Sequence, residues 1–198
     1  MALRNHNTLE SWRLFIAIEL PKNVRHEISQ HIDHLRRELA DVRASWTREH
    51  NLHLTLKFFG DTQIGKVELL SQALQRAANR VPVFQIELNG CGSFPPRGKP
   101  NVLWIGIEDP SGELQNLYKF LEDECAKEGF DRDLRPFHPH LTIARIRHPQ
   151  NSRRLAELHQ RTECDSLSVK VEDICLIRSE LNSEGSRYTV IARHALND

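Results

Sequence analysis

Pro136-Phe137-His138-Pro139-His140-Leu141-Thr142-Ile143-Ala144-Arg145 repeats at its centre an earlier stretch, Asn51-Leu52-His53-Leu54-Thr55-Leu56-Lys57-Phe58-Phe59-Gly60. Each holds a His, an apolar residue, a Thr and a second apolar residue. Alternation of period 2 reads as β-strand, with His and Thr on one face and the apolar pair on the other. The apolar face needs a core and the His/Thr face a polar cleft. Two such strands facing one another would set two imidazoles and two hydroxyls around one small anion.

The remaining chain reads as the scaffold for that pair. Arg13 to Leu20 is a β-branched run ended by Pro21, a strand followed by a helix start. Val24, Ile28, Ile32, Leu35 and Leu39 then fall at helical spacing from Lys22 to about Ala40. A second helix is expected over 64–79, with Val67, Leu70, Leu74 and Ala78 on one face, and a strand over 81–88. The stretch Gly90 to Pro100, rich in Gly and Pro, reads as a long loop carrying Arg97 and Lys99 ahead of a strand over 102–107. A third helix over 112–128 buries Leu114, Leu117, Leu121 and Cys125, with Gly129 as its C-terminal cap. A shorter helix near 151–161 and two strands, 167–181 and 187–195, complete the chain. A turn at Asn182-Ser183-Glu184-Gly185 joins the last pair. A His/Thr strand follows a helix in each half, which suggests two lobes about a pseudo-twofold axis with one active strand apiece.

Composition narrows the partners. The chain has 198 residues, 39% hydrophobic and 27% charged, as expected of one globular domain. Its 27 basic and 27 acidic residues cancel, so any nucleic acid would be met locally, at an end or a single phosphate, and not along a duplex. No apolar run is long enough to span a membrane, and polar Met1 to Ser11 lacks a signal-peptide core, so the expectations are no membrane and a cytoplasmic setting. Residues 1–11 read as a flexible extension before a single domain, 12–198. Cys91, Cys125, Cys164 and Cys175 show no CxxC pair and read as reduced, mostly buried thiols. His26, His31, His34 and His159 lie among helical charges and read as surface residues. No heptad or large apolar stretch argues for an oligomer, so a monomer is expected.

Imidazole titrates near neutrality, so one His can be neutral while another is protonated beside an anion. Such a pair suits phosphoester cleavage: one takes a proton from the attacking oxygen, the other gives a proton to the leaving oxygen. A Thr two residues on can donate to a phosphoryl oxygen. The charges are handled without a metal or cofactor, and no HExxH or carboxylate cluster accompanies the tetrads. From residues alone, a structural coincidence or a non-catalytic anion site stays open beside catalysis.

His53-Leu54-Thr55-Leu56 and His140-Leu141-Thr142-Ile143 resemble the paired motifs of the 2H phosphoesterase superfamily. Arg13 to Pro21, Leu52 to Gly60, Ser93-Phe94-Pro95 before Val102-Leu103-Trp104, Phe137 to Arg145, and Ile177 to Leu181 with Gly185 and Tyr188 resemble its RNA 2′,3′-cyclic phosphodiesterases, the 2′-5′ RNA ligase-like or LigT-like proteins. The resemblance covers about residues 12–196. It implies an α+β, bilobal pseudo-twofold fold: two antiparallel sheets flanked by helices, with a central groove carrying both His-x-Thr strands. It implies metal-independent hydrolysis of RNA 2′,3′-cyclic phosphate ends to 2′-phosphomonoesters, with 2′-5′ ligation as the reverse. His140 would be the proton acceptor, His53 the proton donor, and Thr55 and Thr142 the holders of the non-bridging oxygens. RNA 3′ ends or small oligonucleotides bearing a cyclic phosphate would be the partners. Another small cyclic or oligonucleotide substrate, or a nucleotide-binding module without turnover, are the alternatives.

Neighbouring positions divide. Arg145 matches a family position tied to phosphate, yet strict alternation turns it to the wrong face, so it needs a strand end or a bulge; an ion pair beneath the sheet is the other reading. Lys57 shares parity with His53 and should face the groove, offsetting phosphate charge or simply solvated. Phe137 and Tyr188 would stack on a base or pack in the core. Trp46 and Trp104 read as core, and His138 as a surface position at the start of its strand.

Overall fold

The computed structural model describes residues 10–147, 152–162, 166–183 and 185–197. The strands are β1 (Ser11–Glu19), β2 (Ala44–Trp46), β3 (His53–Gln63), β4 (Phe84–Phe94), β5 (Val102–Glu108), β6 (His140–Ile146), β7 (Leu167–Val171), β8 (Asp173–Asn182) and β9 (Gly185–Ala195). The α-helices are α1 (Lys22–Glu38), α2 (Val67–Ala78), α3 (Glu113–Lys127) and α4 (Ser152–Arg161). Two antiparallel sheets result, one in the order β3-β1-β8-β9 and one in the order β2-β6-β5-β4-β7. The expected α+β class holds, and each half runs strand, helix, His/Thr strand, helix, with the short β2 added between α1 and β3 in the first. Among the described residues no helix is long and apolar enough to cross a membrane.

Amphipathic stripes build the helix layer as the spacing requires. Val24, Ile28, Ile32 and Leu35 of α1, Leu70 and Leu74 of α2, and Leu114, Leu117 and Leu121 of α3 are buried in one continuous core. Alternate strand residues join them: Leu14, Ile16 and Ile18 from β1, Leu54 from β3, and Leu141 and Ile143 from β6. Leu54 and Leu141, each 0% exposed, anchor the two tetrads from behind. Truncating such a leucine to alanine costs roughly 2–5 kcal/mol. Gly129, at φ 79°, ends α3 in the left-handed conformation, and the Phe130 amide donates back to the Cys125 carbonyl.

Several boundaries differ from the periodicity reading. The glycine-rich stretch 90–94 is not loop: β4 runs through it to Phe94, with a register break between Leu88 and Cys91. Gly92 is required there, because a Cβ would lie 2.1 Å from the Trp104 indole. The expected single strand 167–181 is two, β7 on one sheet and β8 on the other, parted at Glu172. The short β2 carried no periodic signal. His159, expected at the surface, is fully buried, and burial pushes its pKa down to about 4. The thiols of Cys125 and Cys175 are buried as expected, whereas Cys91 is only half-buried. Cys164 and most of the expected N-terminal extension, residues 1–9, lie outside the described residues.

Lys57 contradicts strict alternation. A one-residue register shift passes over Leu56 between the pairs Ala17–Thr55 and Ile16–Lys57. After this bulge Lys57 turns with Leu56 toward the helices, where it is 6% exposed. Its ammonium donates to Glu122 Oε1 at 2.6 Å and to the Asp131 carbonyl at 2.8 Å. The other oxygen of Glu122 accepts from the Asp133 amide at 3.0 Å. Lys57 therefore lines no groove; through α3 it ties the first His/Thr strand to the segment that leads into the second. Glu122→Ala would leave a buried, uncompensated ammonium and is expected to cost about 3–5 kcal/mol in denaturant unfolding. The double replacement Lys57→Met/Glu122→Leu is expected to restore most of that loss.

Candidate active site

Each sheet turns one face away from the helices. On the four-stranded sheet that face carries Phe15, Ala17, Cys175 and Ile177 with Tyr188 packed against them. In-register pairing adds Thr55 opposite Ala17 and His53 opposite Glu19. On the five-stranded sheet the corresponding face carries Trp104 opposite Thr142, and Phe94 and His140 beside it. Strands β3 and β6 meet across the two sheets, so the two tetrad-bearing strands are neighbours in space.

The two histidines are held by the same local device. His53 Nδ1 donates to the Asn51 carbonyl at 2.7 Å, and His140 Nδ1 donates to the His138 carbonyl at 2.8 Å. Each acceptor lies two residues before its His. Tying Nδ1 to a main-chain carbonyl fixes the tautomer and leaves Nε2 for chemistry. His53 Nε2 meets Thr55 Oγ1 at 3.0 Å, so imidazole and hydroxyl of that tetrad converge on one point. Asn51 is itself anchored, its side-chain amide donating to the Ser186 carbonyl at 2.9 Å across to the β8–β9 hairpin. His138, exposed, thus contributes its carbonyl and not its ring.

Aromatic rings wall both imidazoles. Phe15 and Tyr188 lie 4.9 and 5.3 Å from the His53 ring, and Phe58 stacks on Phe15 at 5.2 Å. Phe94 meets the His140 ring edge-on at 5.1 Å, with Trp104 at 6.4 Å. Burial among these rings pushes the His53 pKa below its ordinary 6.5, while the Asn51 carbonyl and the Glu19 carboxylate pull weakly the other way. Glu19 is held by Arg193, which also donates to Asp173 at 2.6 Å.

A bulge also decides Arg145. Between the pairs Trp104–Thr142 and Leu103–Ala144 one residue, Ile143, is passed over. Ile143 and Ala144 both face the core, and Arg145 returns, exposed, to the face of His140 and Thr142. Arg145 lines a groove of about 850 Å³ with Arg43, Arg48, Arg147, Trp46, Asn51 and Tyr188. Neither catalytic-candidate His lines this groove directly; Arg145, Asn51 and Tyr188 form the wall they share with it.

Of the residues singled out in the sequence, His53, Thr55 and Tyr188 share the outward face of the four-stranded sheet, and His140, Thr142 and Arg145 share that of the five-stranded sheet. Lys57 does not, for the reason given above. Phe137 does not stand free either: its ring stacks on Tyr118, 4.1 Å away and nearly parallel, against the core. Trp104, read as core, belongs instead to the His140 wall, and Trp46 to the groove as well as the core edge. Phe15, Phe58, Phe94 and Asn51 lie in the quoted stretches but had no role assigned to them, and the arginines 43, 48 and 147 carried no motif. Phe58 was recoverable: it stands five residues after His53, as Arg145 stands five after His140, each beyond a bulge.

Residues 24–182 match the sequence profile described as the 2′-5′ RNA ligase superfamily. The chain belongs to that superfamily. An RNA 2′,3′-cyclic phosphodiesterase of Methanothermobacter thermautotrophicus is 35% identical over 89% of this chain and 95% of the relative. One from Thermotoga maritima is 31% identical over 90% and 92%. Among solved structures, Escherichia coli LigT complexed with 3′-AMP superposes with a TM-score of 0.72 at 29% identity, covering 96% of this chain and 100% of that one. The TT0787 protein of Thermus thermophilus gives 0.74 at 26% identity, covering 93% and 97%. Both His-x-Thr strands of this superfamily member fall within the matched residues.

An NMR pH titration of the histidine ring protons is expected to place His53 below 6.5 in the ligand-free protein and to move it upward when a nucleoside monophosphate binds. Because the folded pKa is lowered, His53 contributes stability above 6.5 that is lost as pH falls through the folded value.

Proposed function

We propose that this superfamily member hydrolyses RNA 2′,3′-cyclic phosphate ends to 2′-phosphomonoesters by acid–base catalysis between two histidines. The observation that carries this reading is the repeated His device: each Nδ1 is committed to a carbonyl two residues back, which leaves each Nε2 uncommitted to the main chain. The curated relatives named for this activity, similar along nine-tenths of the chain, support it.

In this reading His140 Nε2 takes a proton from water as its oxygen attacks phosphorus. The bond from phosphorus to the 3′ oxygen breaks, and protonated His53 delivers its Nε2 proton to that oxygen. The 2′ ester survives, giving a 2′-phosphomonoester. Burial keeps His53 neutral in the free protein; the bound phosphodiester monoanion favours its cation, since an adjacent opposite charge raises a histidine pKa. Thr55 and Thr142 donate to the non-bridging oxygens, and Arg145 offsets their charge with a planar donor fork. Tyr188 and Phe58 offer ring faces to the terminal base. With a 5′-hydroxyl in place of water as the nucleophile, the same groups would join a 2′-5′ linkage.

The test is hydrolysis of a short RNA ending in a 2′,3′-cyclic phosphate, in EDTA, with the product end mapped. Wild type is expected to yield a 2′-phosphate, with His53→Ala and His140→Ala each slower by about 10²–10⁴-fold. Tight mononucleotide binding without turnover would favour a binding module, and activity surviving both replacements would make the tetrads scaffold. Arg145→Gln is expected to lower kcat/KM by about tenfold or more, while leaving the unfolding midpoint unchanged, because Arg145 is exposed.

A further inference from the structure

Behind the five-stranded sheet, three metal-ligand side chains from three separate elements converge. One ligand atom each of His31 on α1, Cys91 on β4 and His159 on α4 lie within 4.8 Å of one another. His31 Nε2 and His159 Nδ1 are 3.0 Å apart. Among the described residues this is the one cluster of that kind.

The buried member is oriented as metal-bound imidazoles are. His159 is 0% exposed, and its Nε2 donates to the Trp104 carbonyl at 2.9 Å. A ligating histidine characteristically gives its second nitrogen to a backbone carbonyl, which fixes the ring and points the other lone pair at the ion. Here that lone pair is on Nδ1, and the His31 N–H now donates to it. The Cys91 thiol reaches the Thr162 carbonyl at 3.8 Å.

We propose that His31, Cys91 and His159 bind Zn²⁺, at a site apart from the phosphate-handling groove. One thiolate and two imidazoles form a borderline-soft donor set that suits zinc. In a tetrahedral site with metal–nitrogen bonds of about 2.0–2.1 Å and metal–sulfur bonds of about 2.3 Å, ligand atoms stand roughly 3.3–3.6 Å apart. The two imidazoles need to open by a few tenths of an ångström, and the sulfur to close by about one at most, a side-chain adjustment. His31 and Cys91 are half-buried, so the ion has a path in, and among the described residues no fourth side chain joins them, which leaves the fourth position to water. Binding releases the thiol proton to solvent and shifts the His31 proton from Nε2 to Nδ1, a net release of one proton per zinc.

Zinc here would tie α1 and α4 to β4 and, through His159, to the Trp104 carbonyl. Trp104 pairs with Thr142 and its ring stands 6.4 Å from that of His140. The ion would brace the wall behind one active strand without meeting the phosphate, so hydrolysis in EDTA stays compatible with it.

The test uses the full chain stripped with EDTA, titrated with Co²⁺ as the spectroscopic probe and then with Zn²⁺ in competition. Saturable one-to-one binding is expected, with a thiolate-to-cobalt charge-transfer band and tetrahedral d–d absorption, both displaced by zinc. Cys91→Ser should abolish the charge-transfer band, and His31→Ala should weaken binding at least about tenfold; both positions are half-buried, so both variants should fold. Saturating zinc should raise the unfolding temperature of wild type but not of either variant. No saturable binding at micromolar metal, a cobalt spectrum lacking the thiolate band, or binding unchanged in both variants would overturn the site.

Discussion

One extra residue, inserted at the same place in two strands, governs which side chains meet the groove. A β-strand sends alternate residues to opposite faces, so His and Thr two apart share a face while the next apolar residue locks the strand to the core. Without interruption, that alternation would aim a lysine at the groove from β3 and an arginine at the core from β6. The bulges at Leu56 and Ile143 reverse both assignments. Lys57 goes inward to a carboxylate waiting on α3, and Arg145 goes outward to solvent beside His140. A bulge bends its strand and re-aims a side chain at the cost of one unpaired residue.

The two cations then do opposite work. The Lys57–Glu122 pair is almost wholly withdrawn from water and is satisfied on both sides by main-chain groups of residues 131–133. Its value is positional, because a buried pair contributes little net stability against an apolar replacement but is costly to break. It couples β3 to the approach of β6 through the back of the molecule. On the front, the chain's balanced charge hides a local imbalance, with arginines 43, 48, 145 and 147 on one groove. A neutral protein with one basic groove fits a ligand met at a single point, and not one tracked along its length.

Much of this was legible in the sequence, and the failures share a cause. Helical stripes such as Val24–Ile28–Ile32–Leu35 place themselves, because burying one face at 3.6-residue spacing has one solution. The doubled tetrad marked both histidines and both threonines for the same reason at period 2. What period alone could not show is where it breaks. Lys57 was misassigned by the bulge; the need for a bulge at Arg145 was visible, but its presence was not. The Gly90–Phe94 stretch looked like loop because glycine is usually a strand breaker, yet Gly92 is there to admit the Trp104 ring within the sheet. Phe137 was indistinguishable by sequence from a groove aromatic; only its partner, Tyr118, decides it. His159 looked solvated among charges, because helix-surface composition does not reveal which turn meets the sheet.

The most direct test of one neutral and one protonated histidine acting together is the pH dependence of kcat/KM for wild type on a cyclic-phosphate dinucleotide, in EDTA. Cooperation between an essential base and an essential acid requires a bell, falling on the acidic side as the base is protonated and on the alkaline side as the acid loses its proton. A bell whose two limbs persist at saturating EDTA is the expected result. A profile that falls on one side only, or activity that vanishes with chelation, would contradict paired histidine catalysis at this groove.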